Sequence, residues 1–219
     1  MCVIIENMTL AELKREFLEY LEIEKGRSIL TVRNYDFYLQ RFIGWAKDPD
    51  PADITLDMIH DYRLYLNRLE SGEGDQTLKK STQNYHLIAL RSFLKFLMKR
   101  DIKTLTPEKI ELAKQGTREV AFLEQEDLER LLAAPAVSDA SPLVQARDKA
   151  ILEIFFSTGL RVSELASLKR DQVNGTREEL SVRGKGDKVR LVFMSPKARI
   201  ALKAYLDLRD KDDVPYVFV

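Results

Sequence analysis

The chain has 219 residues, 45% of them hydrophobic and 32% charged, and its 35 basic residues balance 35 acidic ones for a net charge of zero. That length holds two modest domains that each bury a core, and no apolar run approaches the ~20 residues a membrane helix needs, so no membrane partner is expected. Cys2 is the one cysteine and His60 and His86 the only histidines, which excludes an internal disulfide, suits a reducing cytoplasm, and leaves no zinc site or other metal or cofactor to expect.

Leu10, Leu13, Phe17, Leu18 and Leu21 recur at helical spacing, so residues 9–24 read as an amphipathic helix that Gly26 ends. Ser28 is placed to cap a second helix burying Tyr35, Tyr38, Leu39, Phe42 and Ile43, with Trp45 near its end and Pro49 and Pro51 closing it. The stripe Phe37, Tyr38, Phe42, Trp45 reads as core in preference to a base-stacking surface. Thr55 caps a third helix carrying Leu56, Ile59, Tyr62, Leu66 and Leu69, and the glycines of Ser71 to Asp75 mark a loop. Ser81 caps a fourth helix holding Tyr85, Ile88, Phe93, Leu94 and Leu97, and Thr106-Pro107 starts a shorter one. Helices with short connections and no strand pattern make residues 1–113 a small all-α domain.

Charge is unevenly spread over this half. From Lys79 to Arg118 ten basic residues face three acidic ones, a net +7, whereas Asp48 to Asp75 holds eight acidic against two basic, a net −6. A neutral protein with one strongly basic segment can present a positive face to a polyanion, although a solvated helix face would have the same composition.

Residues 114–118, Lys-Gln-Gly-Thr-Arg, are polar, contain glycine and read as a linker to a second domain, 119–219. Phe122, Leu128, Leu131 and Leu132 give its first helix, with Glu124 at the cap, and Ser141-Pro142 opens a long one through Ala150, Ile151, Ile154 and Phe155. Gly159 ends that helix in a left-handed cap, and Ser163 can cap a short successor with Glu164 in its first turn. Arg161 lies at the corner between them, where a guanidinium is set to grip an anion with two parallel hydrogen bonds, or more simply to pair with Glu164. Asn174-Gly175 reads as a turn into a three-stranded antiparallel sheet. Its hairpin has Leu180 and Val182 alternating with polar residues, as do Val189 and Leu191, around the basic, Gly-flanked tip Gly184-Lys185-Gly186. Ser195-Pro196 opens a last helix through Ile200, Leu202, Tyr205 and Leu208, followed by an extended segment at Pro215 to Val219.

Thr158-Gly159-Leu160-Arg161-Val162-Ser163-Glu164-Leu165, with Lys185 24 residues after Arg161 and within Gly184-Lys185-Gly186-Asp187-Lys188-Val189-Arg190, resembles the arginine box and lysine hairpin of the tyrosine recombinase (phage integrase) family, its Xer type above all. The resemblance covers essentially the whole chain. It implies a mainly α fold with a small antiparallel sheet: a helical, SAM-like core-binding domain followed by part of an α+β catalytic domain. Gly26 to Tyr35 and Asn84 to Phe96 resemble the two helices that face DNA in the family, which would bring Arg27, Thr31, Lys80, Asn84 and Arg91 near it. The implied partners are double-stranded DNA, held in a clamp, and other recombinase protomers, four on paired sites in the full-length protein.

The resemblance also implies roles in strand cleavage through a 3′-phosphotyrosyl intermediate. A fixed Arg161 would stabilise the charge on the non-bridging oxygens of the transition state more than in the ground state. Lys185 would protonate the leaving 5′ oxygen as general acid, with Lys188 its rival on the same hairpin. The family's tyrosine nucleophile and His-x-x-Arg box lie beyond Lys185, yet no histidine follows His86, and Tyr205 and Tyr216 read as core and strand. The expectation is a fragment of a longer recombinase that binds DNA without cleaving it. The other reading is a non-catalytic regulator or decoy that keeps the clamp.

Overall fold

The computed structural model describes residues 8–70, 77–116, 121–173, 178–184, 188–209 and 213–219. The Asn174-Gly175 turn, the loop at Ser71 to Asp75, the end of the linker and Lys185 with its neighbours Gly186 and Asp187 lie outside the described residues. The chain divides into two compact units, Met1–Arg118 and Glu119–Val219.

The first unit is built of α1 (Leu10–Ile23), α2 (Ile29–Ala46), α3 (Leu56–Arg68) and α4 (Lys80–Met98). Thr9 starts α1 with a reciprocal cap: its Oγ1 accepts from the Glu12 amide at 3.2 Å and its own amide donates to Glu12 Oε2 at 2.9 Å. Gly26, at φ +55°, makes the left-handed turn that α1 needs before Ser28 caps α2. Thr55 caps α3 as expected. The fourth helix begins earlier than its expected cap at Ser81, because the Gln83 amide already bonds the Lys79 carbonyl at 3.0 Å. Thr106-Pro107 yields only a 3₁₀ turn, Pro107–Lys109.

The helices close over an aromatic centre in which Phe17 lies 5.5 Å from Phe93 and 5.3 Å from Phe96. Phe42 of the α2 stripe is buried, and Tyr38 and Trp45 pack against the core, but Phe37 is 54% exposed, and Tyr85 and Ile88 of α4 also face outward. The helical period places Phe37 on the α2 face opposite Phe42, so its assignment to the core is corrected.

The second unit is built of α5 (Gln125–Ala133), α6 (Pro142–Thr158), α7 (Val162–Ala166), β1 (Glu179–Arg183), β2 (Val189–Phe193) and α8 (Pro196–Leu208). No residue of α5 is fully buried, and Phe122 before it is exposed. Ala150 and Ile154 of α6 meet Ala198, Leu202 and Tyr205 of α8 in a core that the sheet covers with Leu180, Val182 and Val192.

Two expectations for the sheet change. Among the described residues it has two antiparallel strands, not three, with Leu180 opposite Val192 and Val182 opposite Arg190. The extended C-terminal segment pairs elsewhere: Val217 N–H donates to the Leu168 carbonyl and Arg170 N–H to that of Pro215, each at 2.8 Å. The facing of β2 is also the reverse of the one that paired Val189 with Leu191 as the apolar set. Val192 is buried and Arg190 half-buried, while Val189, Leu191 and Phe193 are exposed, and a one-residue shift of that kind moves every side chain of a strand to the other face.

Candidate nucleic-acid interface

Gly159, at φ +61°, ends α6 with its amide on the Phe155 carbonyl at 2.9 Å, and the chain turns through buried Leu160 to Arg161. Here the cap differs from the expected one. The helix α7 begins at Val162, so Ser163 is its second residue, because Glu164 reaches back and accepts the Arg161 amide at 2.8 Å.

Glu164 is the organising group. Its carboxylate is only 5% exposed and takes four hydrogen bonds. Arg190 donates two, Nη1 to Oε1 at 2.9 Å and Nη2 to Oε2 at 2.8 Å; Arg161 donates its amide to Oε2 and Nη1 to Oε1, both at 2.8 Å. First the Arg190 fork, then the Arg161 amide, hold the Glu164 carboxyl down at about 2 against the opposing effect of burial, and the same contact raises Arg190. Both charges of the fork are therefore present at neutral pH, and the three side chains together carry one net positive charge.

Arg161 does make the simple pairing with Glu164, but only through Nη1 and the backbone. Its side chain is 61% exposed, and among the described residues its Nε and Nη2 hold no partner. A guanidinium fixed at one nitrogen with a free edge to solvent can receive a phosphate oxygen pair there.

The hairpin motif reaches the same carboxylate. Gly184 N–H closes the β1–β2 turn on the Lys188 carbonyl at 2.8 Å. A Cβ at Gly184 would stand 3.2 Å from Arg190 Nη1 and 3.3 Å from Glu164 Oε1, so glycine permits the approach. The arginine box and the residue before Lys185 thus meet at Glu164; Lys185 itself is outside the described residues, and Lys188 is exposed. Arg190 was not singled out by sequence reasoning. The alternation of Val189 and Leu191 put Arg190 on the polar face of the hairpin, so no local signal marked it.

In the first unit, Arg27 is exposed at the α1–α2 turn, with its amide on the Leu21 carbonyl, and Lys80 is exposed at the start of α4. Thr31 is half-buried, its hydroxyl 2.9 Å from that of the cap Ser28, and Arg91 is half-buried further along α4. Asn84 differs from these four. It is buried, its Nδ2 donates to the Ala113 carbonyl at 2.9 Å, and its Oδ1 accepts the Ala113 amide at 3.0 Å. Both ends of that amide tie the segment after α4 to the helix, which removes Asn84 from the exposed set. Beside this region Arg41 stacks 4.8 Å over the exposed Phe37 ring. Among the described residues no cluster of His, Cys, Asp or Glu could hold a metal, and no helix is long and apolar enough to cross a membrane.

Comparison with known proteins gives consistent matches for both units. Residues 121–219 match the Phage integrase family, and residues 15–101 match the Phage integrase, N-terminal SAM-like domain. The tyrosine recombinase XerC of Bacillus licheniformis is 35% identical over 217 residues, covering 93% of this chain and 67% of that protein. XerC of Bacillus pumilus is 36% identical, covering 87% of this chain, which spans only 61% of the length of that relative. Among solved structures, the Tn1549 transposon integrase in complex with transposon right end DNA has a TM-score of 0.74 at 16% identity, covering 97% of this chain and 71% of that one. A lambda integrase dimer bound to a core site has a TM-score of 0.67 at 18% identity, covering 90% and 66%. At those identities the two structures are like this chain in fold.

Proposed function

Because this chain belongs to the phage integrase family of tyrosine recombinases, we propose that it is the DNA-binding part of a site-specific recombinase, acting on duplex DNA in the cytoplasm. Both units contribute contacts to one half-site: the first through Arg27, Thr31, Lys80 and Arg91, the second through Arg161 and Lys185. Further protomers of the recombinase assemble with it on paired sites. The observation that carries the reading is the state of Arg161, which is charged, anchored at its amide and Nη1, and open along one guanidinium edge.

At a phosphodiester, that edge meets the non-bridging oxygens, where negative charge grows as the bridging bond breaks, so the contact strengthens towards the transition state. Lys185 gives its proton to the leaving 5′ oxygen. No histidine follows His86, so these 219 residues contain no His-x-x-Arg box. On this reading they bind DNA and do not cleave it by themselves.

Binding to duplex DNA measured across a salt series tests this. Affinity is expected to fall steeply with salt, and replacing Lys80 and Arg91 together with alanine should reduce the slope by about 0.9 for each phosphate that these side chains neutralise. An unchanged slope would remove α4 from the DNA face, and a covalent adduct on a nicked suicide substrate would show that the chain carries its own nucleophile.

A further inference from the structure

We propose that Arg190 is a positioning residue: by filling the fork of the Glu164 carboxylate, it keeps the Nε–Nη2 edge of Arg161 free for a DNA phosphate. This rests on the reading of Arg161 as the phosphate-gripping group.

The argument is one of hydrogen-bonding capacity. A buried carboxylate has about four acceptor positions, and an arginine beside it forms a two-point fork wherever both oxygens are open. Glu164 has two arginines within reach, and the structure shows an unequal division. Arg190 holds both oxygens through Nη1 and Nη2, at 2.9 and 2.8 Å. Arg161 is left with the two remaining positions, and it fills one of them with its backbone amide and the other with Nη1 alone. Its guanidinium cannot turn both nitrogens of an edge onto Glu164, because Arg190 is already there.

Without Arg190, the Glu164 carboxylate, whose side chain is 5% exposed in the structure, would lose two of its four donors. A buried, under-satisfied carboxylate is costly, and the cheapest replacement is the second nitrogen of Arg161. Arg161 would then be drawn into a fork with Glu164, and a phosphate would have to compete for it. The hairpin is built to prevent this. Arg190 faces inward beside Val192, and Gly184 leaves open the space in which Arg190 Nη1 and Glu164 Oε1 approach, where a Cβ would be only 3.2 and 3.3 Å from them. The same strand that leads from the lysine tip thereby sets the availability of the arginine.

The test uses the whole chain with arginine side-chain nitrogens labelled, and follows the Arg161 Nε–H resonance, assigned with Arg161→Lys, while duplex DNA of random sequence is titrated at low salt. In the wild type the resonance should move and saturate. In Arg190→Met it should start from a different position, reporting the fork to Glu164, and need about tenfold more DNA to respond, as expected when the competent arrangement is a minor one. Adding Glu164→Gln to Arg190→Met should restore the response, because a neutral amide satisfies the Arg161 backbone N–H without capturing the guanidinium. A purely structural role for Arg190 predicts no such rescue. If Arg190→Met does not fold by circular dichroism, Arg190→Lys with and without Glu164→Gln makes the same comparison. A wild-type response in the single variant, or no rescue in the double variant, overturns the proposal. No movement of Arg161 in the wild type would instead overturn the reading of Arg161 itself.

Discussion

The two units solve the problem of interior polarity in opposite ways. In the first, the buried polar groups Asn84 and His86 are uncharged: the Asn84 amide bonds the Ala113 backbone and the His86 ring shares a hydrogen bond with Tyr62 Oη at 3.2 Å. In the second, they are ionic: Glu164 with Arg190 and Arg161, Glu153 with Lys149, and Arg209, whose Nη1 donates to the carbonyls of Tyr216 and Val217 at 2.8 and 2.6 Å. Neutral pairs inside an aromatic core fix geometry and leave charge to the surface. A buried ion network sets the orientation of the charges at its rim, and Arg161 is such a rim charge. Interior substitutions in the first unit should therefore change its stability and leave its chemistry alone, whereas those in the second should change the site.

The sharpest way to break that comparison is in the aromatic centre. Phe93 is fully buried and packed on Phe17, so Phe93→Ala should cost about 3–5 kcal/mol and unfold the first unit first. Calorimetry should show the loss in one transition, with the Arg161 resonance unchanged. Equal loss in both transitions would mean that the units do not fold separately.

Acid should separate the two interiors by pH. Burial first, then the nearby charge of Arg41, lowers His86 to about 4, with the Tyr38 backbone partly opposing. The unfolded chain binds that proton at about 6.5, so the contribution of neutral His86 is complete above that pH and lost as pH falls towards 4, on the order of 3 kcal/mol. Glu164 is depressed too, to about 2 from 4.5, so its contribution is present above 4.5 and lost as pH falls towards 2. The first unit should therefore loosen in a higher pH window than the second, and His86→Phe should remove its dependence between 6.5 and 4 in urea titrations at fixed pH. Identical acid profiles would contradict the neutral-versus-ionic division.

What was legible in the sequence followed this division as well. The helices of the first unit and the caps at Ser28 and Thr55 follow from apolar spacing and hydroxyl positions, because neutral helix packing is a local and periodic signal. The facing of β2 could not be read that way. Val189, Leu191 and Phe193 look like the buried set, yet Val192 is buried and Arg190 turns inward to a carboxylate 26 residues away in sequence. The same reach-back moved the α7 cap from Ser163 to Arg161. The motif itself was visible as spacing between Arg161 and Lys185, while its organising carboxylate appeared only as a first-turn acid. Asn84 is a second case of a long-range bond, since nothing in the spacing of α4 signals its two contacts with the Ala113 backbone.

That last residue offers the smallest and most discriminating test. Asn84→Ala removes the two hydrogen bonds that hold the Ala113 backbone to α4, for about 1–2 kcal/mol. The first unit should melt earlier by that amount, and amide exchange should quicken at residues 110–113. The salt slope of DNA binding should not change, because the same phosphates remain neutralised. Lys80→Ala should do the reverse, lowering the slope by about 0.9 with no change in melting, since Lys80 is exposed and its side chain takes no part in the core. If Asn84→Ala instead weakened DNA binding without lowering the melting temperature, the neutral interior of the first unit would reach the DNA face after all, and the contrast between the two units would narrow to the single carboxylate at Glu164.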